Sequence, residues 1–282
     1  MSSGARAGVG ALVLPRLRDR DVLLAFALGL AISICWRNPT AESIADLSAD
    51  VLRARSGIGA AELLAISVLA TVAFRFGEDR LLTASDLCVI AVTSLAFAFP
   101  LRMAAGIPLT VVGIKLLFRP DPRASSFGQI LLALAFYEWF GPALFHLLSP
   151  WLLKLETIAV QVVLTPMGGF TRDDLMISTG GGLSIMIEEG CSAFQNVSLA
   201  SLIWISLVKL DTLTMRPVHL WIWAAMAAAT VALNTVRIAL MAQSDTMFDF
   251  WHGGGGVPIV SFTILATMLL ICLSGLRLAE TQ

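Results

Sequence analysis

Apolar runs broken by short polar segments make up most of the chain, and period-two alternation is confined to one stretch near its middle. Eight runs read as membrane spans: Asp21–Trp36, Ile58–Phe76, Asp86–Leu101, Gly106–Phe118, Phe127–Leu148, Ala193–Val208, Pro217–Ala242 and Val257–Leu276. A hydrocarbon core of about 30 Å takes roughly 20 residues of helix. The first, third, fourth and sixth runs are short by that measure, and the third and fourth also read as one helical hairpin that dips and returns.

The alternating stretch lies inside the longest connection. Leu175 and Ile177 alternate with polar or smaller residues, Thr179–Gly182 supply a turn, and Leu183, Ile185 and Ile187 alternate again, which predicts a β-hairpin. Strand edges are not tolerated in lipid, so the hairpin belongs outside the hydrocarbon. Trp151–Pro166 is apolar with Lys154, Glu156 and Gln161 interspersed, and reads as an interfacial helix or one packed on the bundle. Met167-Gly168-Gly169 ends it. Residues 37–57 form a polar loop. The expected fold class is therefore an all-α polytopic membrane protein of about eight transmembrane helices, with a small outer β-hairpin ahead of Cys191. There is no internal repeat or clean boundary. The division used here is 1–126, about four N-terminal spans, and 127–282, four spans with outer loops 149–190 and 243–256.

Composition agrees. Hydrophobic residues make up 57% and charged ones 14%, against about 25% charged in soluble proteins. A mean hydropathy of +0.83 excludes a soluble enzyme, a disordered chain and a nucleic-acid binder as main readings. The net charge of −1 implies no polyionic partner. Eleven of the 19 Lys and Arg fall on the side of the N-terminus and six on the other, so both termini are expected in the cytoplasm. Arg16, Arg18 and Arg20 precede the first run as in a signal peptide, but no small-residue cleavage site follows, and it reads as a span. Cys35, Cys88 and Cys272 lie in apolar runs and read as buried small hydrophobes. No spacing implies a metal site or a phosphate cradle, so neither metal nor cofactor is expected.

The few polar residues among the apolar runs carry the chemistry. Cys191 falls where the hairpin meets the sixth span. A thiol at a helix start feels unpaired N–H groups and the positive end of the dipole, which favour the nucleophilic thiolate. Arg237 lies in the seventh span near its outer end, with Asn234 one turn earlier on the same face. An arginine in hydrocarbon costs at least ~2.5 kcal/mol, and it either faces the bundle or snorkels outward. His252 sits in an outer segment before four glycines. Singly, each has a bland explanation. Together they put a nucleophile, a cation and a proton carrier on one side of the membrane, a coherent set for acyl transfer. His146 is the rival base, and His219 lies at the inner end. Glu138, in mid-span, reads as structural. Depth argues against its pairing with Lys115. Glu188 and Glu189 either keep the hairpin's end in water or select a basic substrate.

Three motifs give the chain a resemblance to the exosortase/archaeosortase family of membrane cysteine transpeptidases. They are Glu189-Gly190-Cys191-Ser192-Ala193, Asn234-Thr235-Val236-Arg237-Ile238 and Trp251-His252-Gly253, in the family's order and membrane side. The specific match covers about residues 160–260; the first 120 residues share hydropathy alone. Ala193 stands where the family usually has glycine, and the four glycines after His252 are atypical. The resemblance implies a cysteine peptidase of the outer face of the cell (inner) membrane. Its substrates would be secreted proteins with a C-terminal sorting signal: a short motif, a transmembrane helix and a basic tail. It implies Cys191 as nucleophile, Arg237 as anion stabiliser and His252 as proton shuttle, with Asn234, Ser192 and Glu189 in support. Other readings from the residues are a non-catalytic scaffold of a secretion or polysaccharide system, and a solute transporter lined by Glu138, Lys115 and Arg237. The transporter predicts broken spans or paired repeats, which are not found.

Overall fold

The computed structural model describes residues 25–32, 60–74, 83–98, 106–211 and 216–280. The flanks of the first span, the loop 37–57, Cys35 and both chain ends lie outside these residues. The first helix among the described residues is α1 (residues 25–32). Then come α2 (Ala60–Phe74), α3 (Ala84–Ala98), α4 (Gly106–Leu117), α5 (Pro122–Ala135) and, after a π turn at Phe136–Phe140, α6 (Gly141–Leu164). A sheet follows, of β1 (Phe170–Asp173), β2 (Met176–Thr179) and β3 (Ser184–Met186). The remaining helices are α7 (Phe194–Asp211), α8 (Pro217–Met241), α9 (Asp245–His252) and α10 (Gly256–Glu280).

Among the described residues, three helical stretches are long and apolar enough to cross a membrane: Pro122–Met167, Pro217–Met241 and Gly256–Ala279. Shorter apolar helices cover Glu62–Ala73, Ala84–Leu95, Gly106–Leu117 and Phe194–Leu210. At most 39% of any long window is buried inside the structure. Most of each long helix is thus apolar and turned outward, as membrane association requires. Cys88 is exposed on α3, contrary to the expected buried position, while Cys272 is fully buried. An apolar run in a membrane helix has a lipid face as well as a bundle face, so hydropathy does not distinguish them.

The largest departure from expectation is at Pro150. The sequence predicts a span ending at Leu148 and a separate helix from Trp151. Instead one rod of 46 residues runs from Pro122 to Met167, about 69 Å at 1.5 Å per residue. Asp121 caps its start, accepting from Arg123 N at 3.0 Å. Pro150 lacks the N–H that would bond the His146 carbonyl; the Ser149 hydroxyl donates to that carbonyl instead, at 3.2 Å. Packing carries the helix through, because Phe145, Ser149, Leu153, Thr157, Val160 and Leu164 form one buried stripe. The rod stops where Gly168 (φ 70) and Gly169 (φ 75) enter the left-handed region.

Phe127, Ile130, Leu131 and Leu134 of α5 pack with Leu109, Val112 and Leu116 of α4 in the first core, which also takes residues of α1, α2 and α7. The 126/127 division falls within α5. A Cβ on Gly128 would stand 2.6 Å from the Gly113 carbonyl oxygen, so α4 and α5 meet backbone to backbone there.

The hairpin forms in the expected place, with Ile177 opposite Ile185, both buried. A strand that the sequence reading missed, β1, pairs antiparallel with β2. Its residues, Phe-Thr-Arg-Asp, carry too little apolar alternation to announce a strand. The sheet's apolar face joins the α6 stripe, Ile238, Ala239 and Met241 of α8 in a second core, and Cys191, Phe194, Phe248 and Trp251 pack against it. The segment between α8 and α10 contains a short helix, α9, capped by Ser244.

Candidate active site

Cys191 ends a 3-10 turn, Glu189–Cys191, between β3 and α7. The turn closes with Cys191 N donating to the Glu188 carbonyl at 2.9 Å. Cys191 is half-buried. Cys191 does not start the helix but lies three residues before it. α7 begins at Phe194, whose N–H donates to Ser192 Oγ at 3.2 Å. Ser192 Oγ in turn donates to Glu156 Oε1 at 2.7 Å, and Ala193 N donates to the same oxygen at 3.0 Å. A hydroxyl and a carboxylate thus take the helix N-terminus, so the dipole is answered by Glu156 rather than by the thiol. The sequence reading gave Glu156 no role. Its position in an apolar stretch was the available signal, but its partners are 36 and 37 residues away.

From α8, Asn234 Nδ2 donates to the Cys191 carbonyl at 2.7 Å. One turn on, Arg237 Nε donates to the Trp251 carbonyl at 3.0 Å. Asn234 is buried and Arg237 half-buried. Among the described residues no carboxylate pairs with Arg237, so the rest of its guanidinium remains available to an anion. One face of α8 therefore ties together the Cys191 turn and the end of α9, and Arg237 faces the bundle rather than snorkelling. Three buried polar atoms here have no hydrogen-bond partner among the described residues: Asn234 Oδ1, Trp251 Nε1 and Glu156 Oε2.

His252 is exposed, its ring stacked on Phe248 at 4.8 Å and 14°. Phe248 packs against the same core as Cys191, but among the described residues no hydrogen bond joins His252 to Cys191 or Arg237. His146, the rival, stands closer to the turn: its Nδ1 is 2.8 Å from Glu189 Oε2. His219 is buried at the start of α8, with Nδ1 accepting from Arg216 N at 3.0 Å. The fifteen residues from there to Asn234 span about 22 Å. Lys115 does not meet Glu138; it donates to Ser85 Oγ at 2.8 Å and lies 3.6 Å from Asp86. Glu138, in the π turn, is hydrogen-bonded to Glu62 of α2.

Among the described residues no group of three His, Cys, Asp or Glu can hold a metal ion. No family model matches the chain, and no curated protein or solved structure matches it either.

Proposed function

We propose that the protein is a membrane-embedded cysteine peptidase or transpeptidase of the exosortase/archaeosortase type. The observation that carries this reading is the double tie made by α8: Asn234 on the Cys191 carbonyl and Arg237 on the Trp251 carbonyl. The three motifs of the resemblance are joined by these two hydrogen bonds, across 43 and 14 residues of sequence.

In this reading about eight helices cross the cell (inner) membrane, both termini are cytoplasmic, and the sheet, the Cys191 turn and α9 face outward. A secreted protein's C-terminal helix lies against the outward apolar faces and presents its scissile bond at the outer interface. The Cys191 thiolate attacks the carbonyl carbon. Arg237 stabilises the oxyanion. The C–N bond breaks, and His252 gives the leaving amine its proton. The thioester is released by water or by an acceptor amine. Asn234 holds the Cys191 carbonyl, Ser192 holds the start of α7 that follows it, and Glu189 borders the approach to the thiol.

The test is co-expression of the protein or its Cys191→Ala variant with secreted proteins bearing candidate C-terminal helices. The expected result is a shortened product, seen by gel shift, that depends on Cys191. Identical processing by parent and variant across tails that the parent does cut would rule the cysteine mechanism out.

A further inference from the structure

We propose that His146 and Glu189 form a second proton-transfer pair, which takes the proton from the Cys191 thiol. The proposal rests on the peptidase reading and deepens it. His146 lies on α6, six residues past the π turn, and Glu189 opens the 3-10 turn that Cys191 ends. The 2.8 Å contact joins His146 Nδ1 to a carboxylate oxygen. A carboxylate on Nδ1 fixes the tautomer and orientation of the ring and leaves Nε2 for the nucleophile, as in acid–histidine–nucleophile triads generally. His252 has no such partner among the described residues.

The surroundings favour this assignment. A cavity of about 300 Å³ is bounded by Tyr137, Pro142, Phe145 and Phe194, with His146 and Glu189 in its wall, and it reaches Gly190 beside Cys191. Phe145 and Phe194 stack at 4.9 Å, and Cys191 packs against the core that contains Phe145. Cys191 and Phe194 both pack against that core, and Gly190 in the cavity wall immediately precedes the thiol in the chain. A peptide could enter such a cavity beside the thiol.

The chemistry balances. Nε2 accepts the S–H proton, leaving a thiolate beside an imidazolium held by Glu189. The thiolate forms the C–S bond, the C–N bond breaks, and His252 gives the leaving amine its proton. In the second half, the incoming water or amine loses its proton to the now neutral His252 as it attacks the thioester, and the thiolate departs beside the His146 imidazolium. Glu189 acts through His146 and is a positioning residue.

The experiment measures iodoacetamide alkylation of Cys191 against pH. It uses the full chain in detergent, with Cys35, Cys88 and Cys272 replaced by alanine. Glu156, Glu188, Arg237, Asp249 and His252, together with Arg172 and Asp173 on β1, are charged groups on the surrounding elements and are kept in every variant. At pH 6 His146→Gln is expected to slow alkylation about tenfold or more, because less thiolate is present. Glu189→Gln should slow it less, and all curves should meet near pH 10. His146 and Glu189 are both exposed, so the variants should elute like the parent on gel filtration. A His146→Gln profile that superimposes on the parent's overturns the pair. Tail cleavage that persists in Cys191→Ala overturns the peptidase reading instead, and the alkylation result still decides the pair.

Discussion

The side-chain amide of Asn234 donates a 2.7 Å hydrogen bond to the main-chain carbonyl of Cys191, 43 residues earlier in the chain. The bond fixes the turn that carries the thiol to the buried face of α8. Asn234→Ala leaves a buried carbonyl unsatisfied, at about 1–3 kcal/mol. The expected outcome is a lower melting temperature in detergent and a loss of tail cleavage larger than the loss of folded protein. Circular dichroism melts and the cleavage assay on the same preparation check both.

Arg237 Nε holds the end of α9, and in the proposed mechanism its remaining N–H groups stabilise the oxyanion. Removing an oxyanion donor costs about 10² to 10³ in rate. Arg237→Ala should therefore fall in that range. Arg237→Lys should not restore the rate, because a lysine offers one ammonium where the guanidinium bonds the Trp251 carbonyl and an anion at once. Near-parental cleavage by either variant would remove Arg237 from the mechanism.

Glu156 accepts from Ser192 and Ala193 through one oxygen. Glu156→Ala removes the cap of α7 and should cost about 1–2 kcal/mol, read as a fall in melting temperature. Glu156→Gln keeps an acceptor oxygen and should recover most of that stability, which shows whether hydrogen bonding or charge holds the turn.

Ser149 and Pro150 make a coupled pair. Ser149→Ala should destabilise the parent by about 0.5–1.5 kcal/mol, since the His146 carbonyl loses the Ser149 hydroxyl that donates to it. In a Pro150→Ala background the restored N–H takes that carbonyl, and the same change should cost close to nothing. A double-mutant cycle by thermal melts measures the difference.

Gly128 permits the backbone contact between α4 and α5. Gly128→Leu drives a side chain into the Gly113 carbonyl and the Leu117 amide. Overpacking of this kind costs about 1–3 kcal/mol, and here the neighbours are main-chain atoms with little room to shift. Expression and monodispersity should fall together.

The apolar runs, the hairpin at Leu175–Ile187 and the polar residues of the three motifs were legible in the chain because each is local: hydropathy, alternation and residue type need no partner to be read. Helix continuity through Pro150 was not legible, because the rod survives by burying a stripe against a sheet and a helix that come later in sequence. Strand β1 was hidden for a similar reason. Its register comes from pairing with β2 rather than from its own pattern. The candidate site divides in the same way. Cys191, Asn234, Arg237 and His252 could be picked out by type and spacing. Which of them touch, that Glu156 takes the helix end, and that His146 reaches Glu189 were decided only by tertiary packing, because a hydrogen bond of 3 Å depends on where two distant segments meet.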